Sequence, residues 1–175
     1  MSGHNKWTQI KRQKEKTDAQ KSKLFGKLAK LIADEAKKAG GNRNSAGLRA
    51  AVERAKAENM PNENIERAIK KSTEASAALE AITYEAYGPG GAAIIIEVLT
   101  DNRNKAAQEV KAILARHGVS LASPGSASWA FMKSGMAWTP TASIPLSPGD
   151  SELLLKISEE LEDNDDVQEV FTNAE

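Results

Sequence analysis

Cysteine is absent from this chain of 175 residues, and histidine occurs only at His4 and His117. The first absence removes disulfides, thiolate zinc sites and cysteine nucleophiles. The second leaves too little for a histidine metal cluster or a paired-histidine mechanism within one chain. Aromatic residues make up only 5%, and no apolar run approaches the roughly eighteen residues a membrane span needs. Nor do the N-terminal charges lead into the apolar stretch of a secretory signal. The expected home is the cytoplasm, or an organelle matrix after loss of a transit segment, with no membrane partner. What remains is an ordinary soluble composition, 40% hydrophobic and 27% charged. The length suits one domain or two small ones.

The formal net charge is zero, but it hides two opposed halves. Residues 1–80 hold 18 Lys and Arg against 10 Asp and Glu, a net of +8, and residues 81–175 hold 6 against 14, a net of −8. The excess is steepest at the start, where residues 1–40 carry eleven bases against four acids. Lys6, Lys11, Arg12, Lys14, Lys16, Lys21 and Lys23 crowd around Trp7 and His4. A local excess of one sign is an interaction signal, and a basic one suits phosphate backbones. Set against this is the usual fate of lysines, a solvated helical face. Trp7 reads either as an anchor pinning the basic arm to a helical core or as a stacking surface for an unpaired base. His4 reads as a phosphate contact or as part of the local capping, and it lacks a partner for catalysis.

Hydrophobic periodicity divides the chain near residue 78. Leu24, Leu28, Leu31 and Ile32 form one stripe of a helix from about Asp18 to Ala39, which Gly40-Gly41 ends. Asn44 or Ser45 offers a cap for a second helix burying Leu48, Val52 and Ala55. Asn59-Met60-Pro61 breaks it, and a third helix follows with Ile65, Ala68 and Ile69 inward. Alternation at Ile82, Tyr84 and Ala86, the turn Gly88-Pro89-Gly90-Gly91 and the run Ala92–Leu99 read as strand, turn, strand. Asp101 or Asn102 can cap a helix through His117, with Asp101 the favoured cap. Residues 126–133 alternate as a further strand, and residues 134–149 read as a turn-rich linker with a short edge strand near Ser143–Leu146. A last helix capped by Asp150 or Ser151 and a strand Val167–Phe171 complete the chain. From residue 92 the order βαβ(β)αβ predicts a ferredoxin-like split βαβ sheet.

Few other residues invite chemistry. Gly88–Gly91 lacks the helix and lysine of a phosphate loop and reads as a hairpin turn. Arg103 and Lys105, at a strand-to-helix junction, are candidate contacts to DNA or RNA on an otherwise acidic half, with helix capping the competing reading of this segment. Glu159, Glu160, Glu162, Asp163, Asp165 and Asp166 lack the spacing of a calcium loop and read as a solvated face, or as a surface for a basic protein. Glu85, Glu97 and Asp101 are the only arguable acid–base candidates, and none has an evident nucleophile beside it.

Four segments carry a family likeness. They are Gly3-His4-x-Lys6-Trp7-x-x-Ile10-Lys11, Asn59-Met60-Pro61-x-x-Asn64-Ile65-Glu66-Arg67-Ala68-Ile69-Lys70-Lys71, Tyr84-Glu85-x-Tyr87-Gly88-Pro89-Gly90-Gly91 and Glu97-Val98-Leu99-Thr100-Asp101-Asn102-Arg103-Asn104. In this order they resemble the YebC/PmpR family, from residue 2 to about 135 and again at the C-terminal helix and strand. Asn5 stands where the family usually has serine, and Val119 where glycine or asparagine is common. Family members also carry a small α/β domain between about Lys133 and Ile144, where this chain has only a short linker.

The resemblance implies a non-enzymatic regulator of gene expression. It is either a DNA-binding transcriptional regulator or a ribosome-associated translation factor that touches ribosomal RNA. The expectations are then an α+β protein with a basic arm and three-helix domain over residues 1–78, and a ferredoxin-like domain over residues 79–175. Nucleic acid is the expected partner, with ribosomal proteins as candidates for the acidic half. No catalytic residue, metal, cofactor or small-molecule substrate is expected.

Overall fold

The computed structural model describes residues 16–72, 74 and 78–175. The described residues form two compact units, a helical one up to Leu79 and a sheet one from Glu80.

In the helical unit, α1 (Asp18–Lys38) starts at a capping box. The Thr17 hydroxyl accepts the Gln20 N–H at 3.2 Å, and the Gln20 side chain accepts the Thr17 N–H at 2.9 Å. The helix α2 (Ala46–Ala57) starts under Ser45, whose hydroxyl accepts the Leu48 N–H at 3.3 Å. Asn59, at a positive φ of 62°, turns the chain into Pro61, and α3 (Asn62–Lys71) follows. α1 packs on both α2 and α3, burying Leu28, Ile32, Leu48 and Ile65 with Ala36, Ala51, Ala55 and Ala68. Alanine at so many inner positions lets the helices approach closely but keeps the core small.

The sheet unit opens with a hairpin of β1 (Glu80–Tyr87) and β2 (Ala93–Thr100). Their tight link needs Gly90, at φ 68°, where an added Cβ would also meet a Leu146 methyl at 2.5 Å. There follow α4 (Arg103–Arg116), the two-residue β3 (Leu121–Ala122), a hairpin of β4 (Phe131–Ser134) and β5 (Ala137–Pro140), α5 (Pro148–Asp163) and β6 (Val167–Thr172). The main sheet is antiparallel in the order β3-β1-β2-β6, and β4-β5 stand apart as a second sheet. Ile82, Ile94, Ile96, Val98 and Val170 face α4 and α5, which contribute Val110, Leu114, Leu154, Ile157 and Leu161. Alternation sends Ala93, Ile95 and Phe171 to the opposite face, which Ala127, Ala130, Phe131 and Trp138 cover. The sheet is thus clad by helices on one side and by the 123–140 segment on the other.

The α+β class, with helices followed by a sheet unit, agrees with expectation, and so does the set of helices. The strand connectivity differs. The strand between β2 and β3 is β1, which precedes both, and the expected strand at 143–146 is reduced to one bridge, Ile144 to Ala174. Residues 126–133 are not one strand: Ser128–Ala130 form a 3₁₀ turn before β4 begins at Phe131. The 134–149 segment is more than a linker, since it holds β5. Two caps also move. Asn102, not Asp101, caps α4 by accepting the Lys105 N–H at 3.1 Å. Ser147 caps α5 with Pro148 in its first turn, three residues ahead of Asp150.

Candidate nucleic-acid interface

Of the residues expected to meet nucleic acid, His4, Lys6, Trp7, Lys11, Arg12 and Lys14 lie outside the described residues. Lys16, Lys21 and Lys23 lie within them and are exposed at the head of α1. The capping box fixes the helix start beside Lys16, so Lys21 and Lys23 fall in its first two turns. Cations there sit near the positive end of the helix dipole, which disfavours them and favours anions. Lys16 pairs with Glu58 at 3.5 Å, with both side chains well exposed. Such a pair contributes little and yields readily to a phosphate.

The same unit carries a second basic group that periodicity did not single out. A groove between α2 and α3 has Leu48, Val52 and Ile65 in its wall, with Arg43, Arg49 and Lys56 around it. Arg43 grips Glu66 through both guanidinium nitrogens at 2.8 and 2.6 Å. That grip holds the Glu66 carboxyl below its ordinary range.

Arg103 and Lys105 stand on the first turn of α4 in the sheet unit, both exposed. Arg103 is paired with Glu80, and Lys105 lies 3.9 Å from Glu109 one turn along. Their charges are partly answered within the unit.

The three acid–base candidates do not converge. Glu85 is buried on the face opposite α4 and α5, where its carboxylate accepts the backbone N–H groups of Gly125, Ala127 and Ser128 at 2.6, 2.9 and 2.6 Å. Burial alone raises the pKa of this carboxyl, but the three N–H donors outweigh it and lower the value below the ordinary range. Glu97 accepts the Thr83 hydroxyl at 2.9 Å and the Trp138 indole N–H at 2.7 Å. Both carboxylates therefore tie the 123–140 segment to the sheet. Asp101 is exposed beyond the end of β2. The acidic face at the end of α5 is also not purely solvated. Glu160 meets Arg116 at 3.1 Å and His117 at 3.0 Å, while Asp166 accepts the Thr100 hydroxyl at 2.9 Å. Among the described residues, no three His, Asp or Glu side chains gather in a way that could hold a metal ion, and no helix is long and apolar enough to cross a membrane.

The role of Glu85 escapes sequence reasoning because its partners lie about forty positions away. The available signal was an acid set among apolar residues on a strand. An acid in that setting is buried at a cost unless donors meet it.

Comparison with known proteins agrees with this architecture. Residues 5–75 match the TACO1/YebC protein N-terminal domain, and residues 79–137 match the TACO1/YebC second and third domain. A probable transcriptional regulatory protein of Thermoanaerobacter pseudethanolicus is 39% identical, covering 100% of this chain and 97% of the relative. That alignment spans 239 positions against the 175 residues here, so at least 64 have no counterpart in this chain. Another, from Pelotomaculum thermopropionicum, is 51% identical over 78% of this chain and 57% of its own length. The crystal structure of a conserved hypothetical protein from Aquifex aeolicus superposes with a TM-score of 0.81 at 29% identity, over 98% of this chain and 97% of that one. With the order of the helices, the hairpin and the sheet, these matches place the chain in the TACO1/YebC family.

Proposed function

We propose that this protein is a non-enzymatic regulator of gene expression that holds nucleic acid through its phosphates. The basic arm and the head of α1 make the contact. The observation that carries this reading is the charge of residues 1–40, eleven bases against four acids, with Lys16, Lys21 and Lys23 exposed where a helix start already favours anions. Release of counterions from the phosphates supplies the affinity, and no constellation for reading base edges in a groove accompanies it. The relatives' description as probable transcriptional regulatory proteins supports DNA as the polymer. In this reading Arg103 and Lys105 are auxiliary contacts, and the chain works in the cytoplasm.

A second reading, a ribosome-associated translation factor, is favoured by the net charge of −8 beyond residue 80. A surface of that sign suits a basic ribosomal protein, while the arm contacts ribosomal RNA. Steep loss of binding with salt belongs to both readings, so salt does not separate them. Crosslinking in cells, with sequencing of the DNA and of the RNA recovered, does. Discrete promoter sites support the transcriptional reading. A defined site on ribosomal RNA supports the translational one, and recovery of neither overturns both.

A further inference from the structure

Among the described residues, three large apolar side chains are exposed: Trp129 at 64%, Met132 at 61% and Tyr87 at 39%. All belong to the sheet unit. Trp129 stands on the 3₁₀ turn Ser128–Ala130, and that turn is held rigid. Glu85 takes three N–H groups from residues 125–128, and Ala127 and Ala130 on either side of Trp129 are fully buried against Ala93 and Ile95. The indole N–H donates to the Tyr87 hydroxyl oxygen at 2.8 Å, and that hydroxyl donates to the Ser126 carbonyl. The edge of the indole is thus fixed while its ring remains in water. Folding ordinarily buries so large a ring, and here it is instead pinned in water beside the exposed Tyr87.

Charge and composition say what it binds. Residues 123–140, the segment on this face of the sheet, contain no Asp or Glu and include Lys133, within a half whose net charge is −8. The acids of α5 stand on a helix packed against the other face of the sheet. Glu85 and Glu97 do point toward the Trp129 side, but backbone, hydroxyl and indole donors occupy them; Glu169 lies opposite Glu97. Before Trp129 in sequence stand Ser123, Pro124, Gly125, Ser126 and Ser128; of the apolar residues around it, Ala127, Ala130 and Phe131 are turned into the core and Met132 is exposed. A protein interface needs a broad apolar core, which three separate side chains, Trp129, Tyr87 and Met132, among small polar residues do not supply. A flat ring among small polar groups, free of nearby unanswered acids, suits a nucleobase.

We infer that Trp129, oriented by Tyr87, is a stacking platform for an unpaired base of single-stranded nucleic acid. This rests on the reading that the protein binds nucleic acid and deepens it. A base within a duplex cannot reach the ring, so the platform discriminates single strands from double ones. The pinned turn means that little freedom is lost on binding.

The test uses the full chain with three fluorescent probes: a short oligothymidylate, the same length of abasic strand, and a duplex. The unmodified protein should prefer oligothymidylate to the abasic strand by about tenfold, the effect of one stacked base. Trp129→Ala should abolish that preference and leave duplex affinity unchanged, while Trp129→Phe should keep most of it. Because the ring is exposed, the melting temperature of Trp129→Ala should stay near that of the parent. A base preference that survives in Trp129→Ala overturns the platform and leaves phosphate binding standing. Failure of the unmodified protein to bind any probe overturns both. Self-association that Trp129→Ala removes, in a protein without base preference, assigns the ring to a second copy and overturns the proposal.

Discussion

The two units are stabilised by different means. The helical unit relies on periodicity: Leu28, Ile32, Leu48 and Ile65 meet alanines at close helix crossings. Two of its ion pairs, Lys38 with Asp34 at 2.7 Å and Arg67 with Glu63 at 3.5 Å, each run along one helix, while Lys16 with Glu58 and Arg43 with Glu66 join separate segments at the surface. The sheet unit adds to its isoleucine core a set of polar bonds between distant parts of the chain. Asn173 accepts the Ala93 N–H and donates to the Ala142 carbonyl, each at 2.8 Å, beside the bonds that Glu85 and Glu97 make. Among the described residues of the first unit most charge lies on the surface, with Lys27 and Asp34 buried. In the second, the buried charge has been taken into the fold.

The largest effect that would sharpen this contrast lies in the basic arm. Replacing Lys6, Lys11, Arg12 and Lys14 with glutamate should weaken nucleic-acid binding by about a thousandfold or more, since several phosphate contacts become repulsions. Helix content by circular dichroism should remain near that of the parent. Unchanged affinity in a filter or anisotropy assay would remove the arm as the main contact and break the division of labour between the halves.

Next comes the core of the sheet unit. Ile96 is fully buried, and its register places it between Tyr84 of β1 and Val170 of β6. Ile96→Ala should lower the unfolding free energy by about 3 kcal/mol, from lost transfer and the cavity left in a sheet that cannot close over it. Urea denaturation measures this. A loss below about 1 kcal/mol would mean that the helices relax into the space, and that this core is less tightly packed than its burial indicates.

Legibility in the sequence follows the same line. The three N-terminal helices could be read because their stripes are local, with Ser45 capping where its position in the chain suggests. The βαβ pattern beyond residue 92 was equally plain, yet its middle position went to β1. Strand order is set by contacts across the fold, and the two-residue β3 carries too little pattern to reveal its neighbour. The 126–133 segment looked like a strand because Ala127, Trp129 and Phe131 alternate with smaller or polar residues. Its true form is set by Glu85 reaching across the fold, which no local window contains. The basic candidates were visible as composition, whereas the exposure of Trp129 was not, because an aromatic within an alternating run reads as core.

Glu85 provides a direct probe of that long-range tie. Glu85→Gln places an amide N–H₂ among three backbone donors, so at least one donor loses its acceptor. The expected loss at neutral pH is about 1–3 kcal/mol. The pH dependence follows from the lowered pKa of the folded state. The carboxylate's stabilising contribution is complete above the ordinary glutamate range near about 4.3 and is lost as pH falls through the lower folded value. The gap between parent and variant in urea denaturation should therefore narrow as the solution is acidified below that range. A gap that stays constant would mean that shape, and not charge, holds the 123–130 turn.

The smallest effect concerns the junction after β2, where two adjacent residues compete for one role. Asn102 accepts the Lys105 N–H through its side chain, and its own N–H donates to the Thr100 hydroxyl at 3.0 Å. The side-chain bond ends at Asn102→Ala, while the backbone bond persists. The loss should be about 1 kcal/mol, the usual effect of removing a helix cap. Asp101 is exposed and stands one position too early to reach the first free N–H groups of α4, so Asp101→Ala should change the melting temperature little. If the two losses are reversed in size, the helix begins one residue sooner in solution, with Asp101 as its cap. Arg103 and Lys105 would keep their places on the helix, because an added N-terminal residue lengthens α4 without turning the residues already in it.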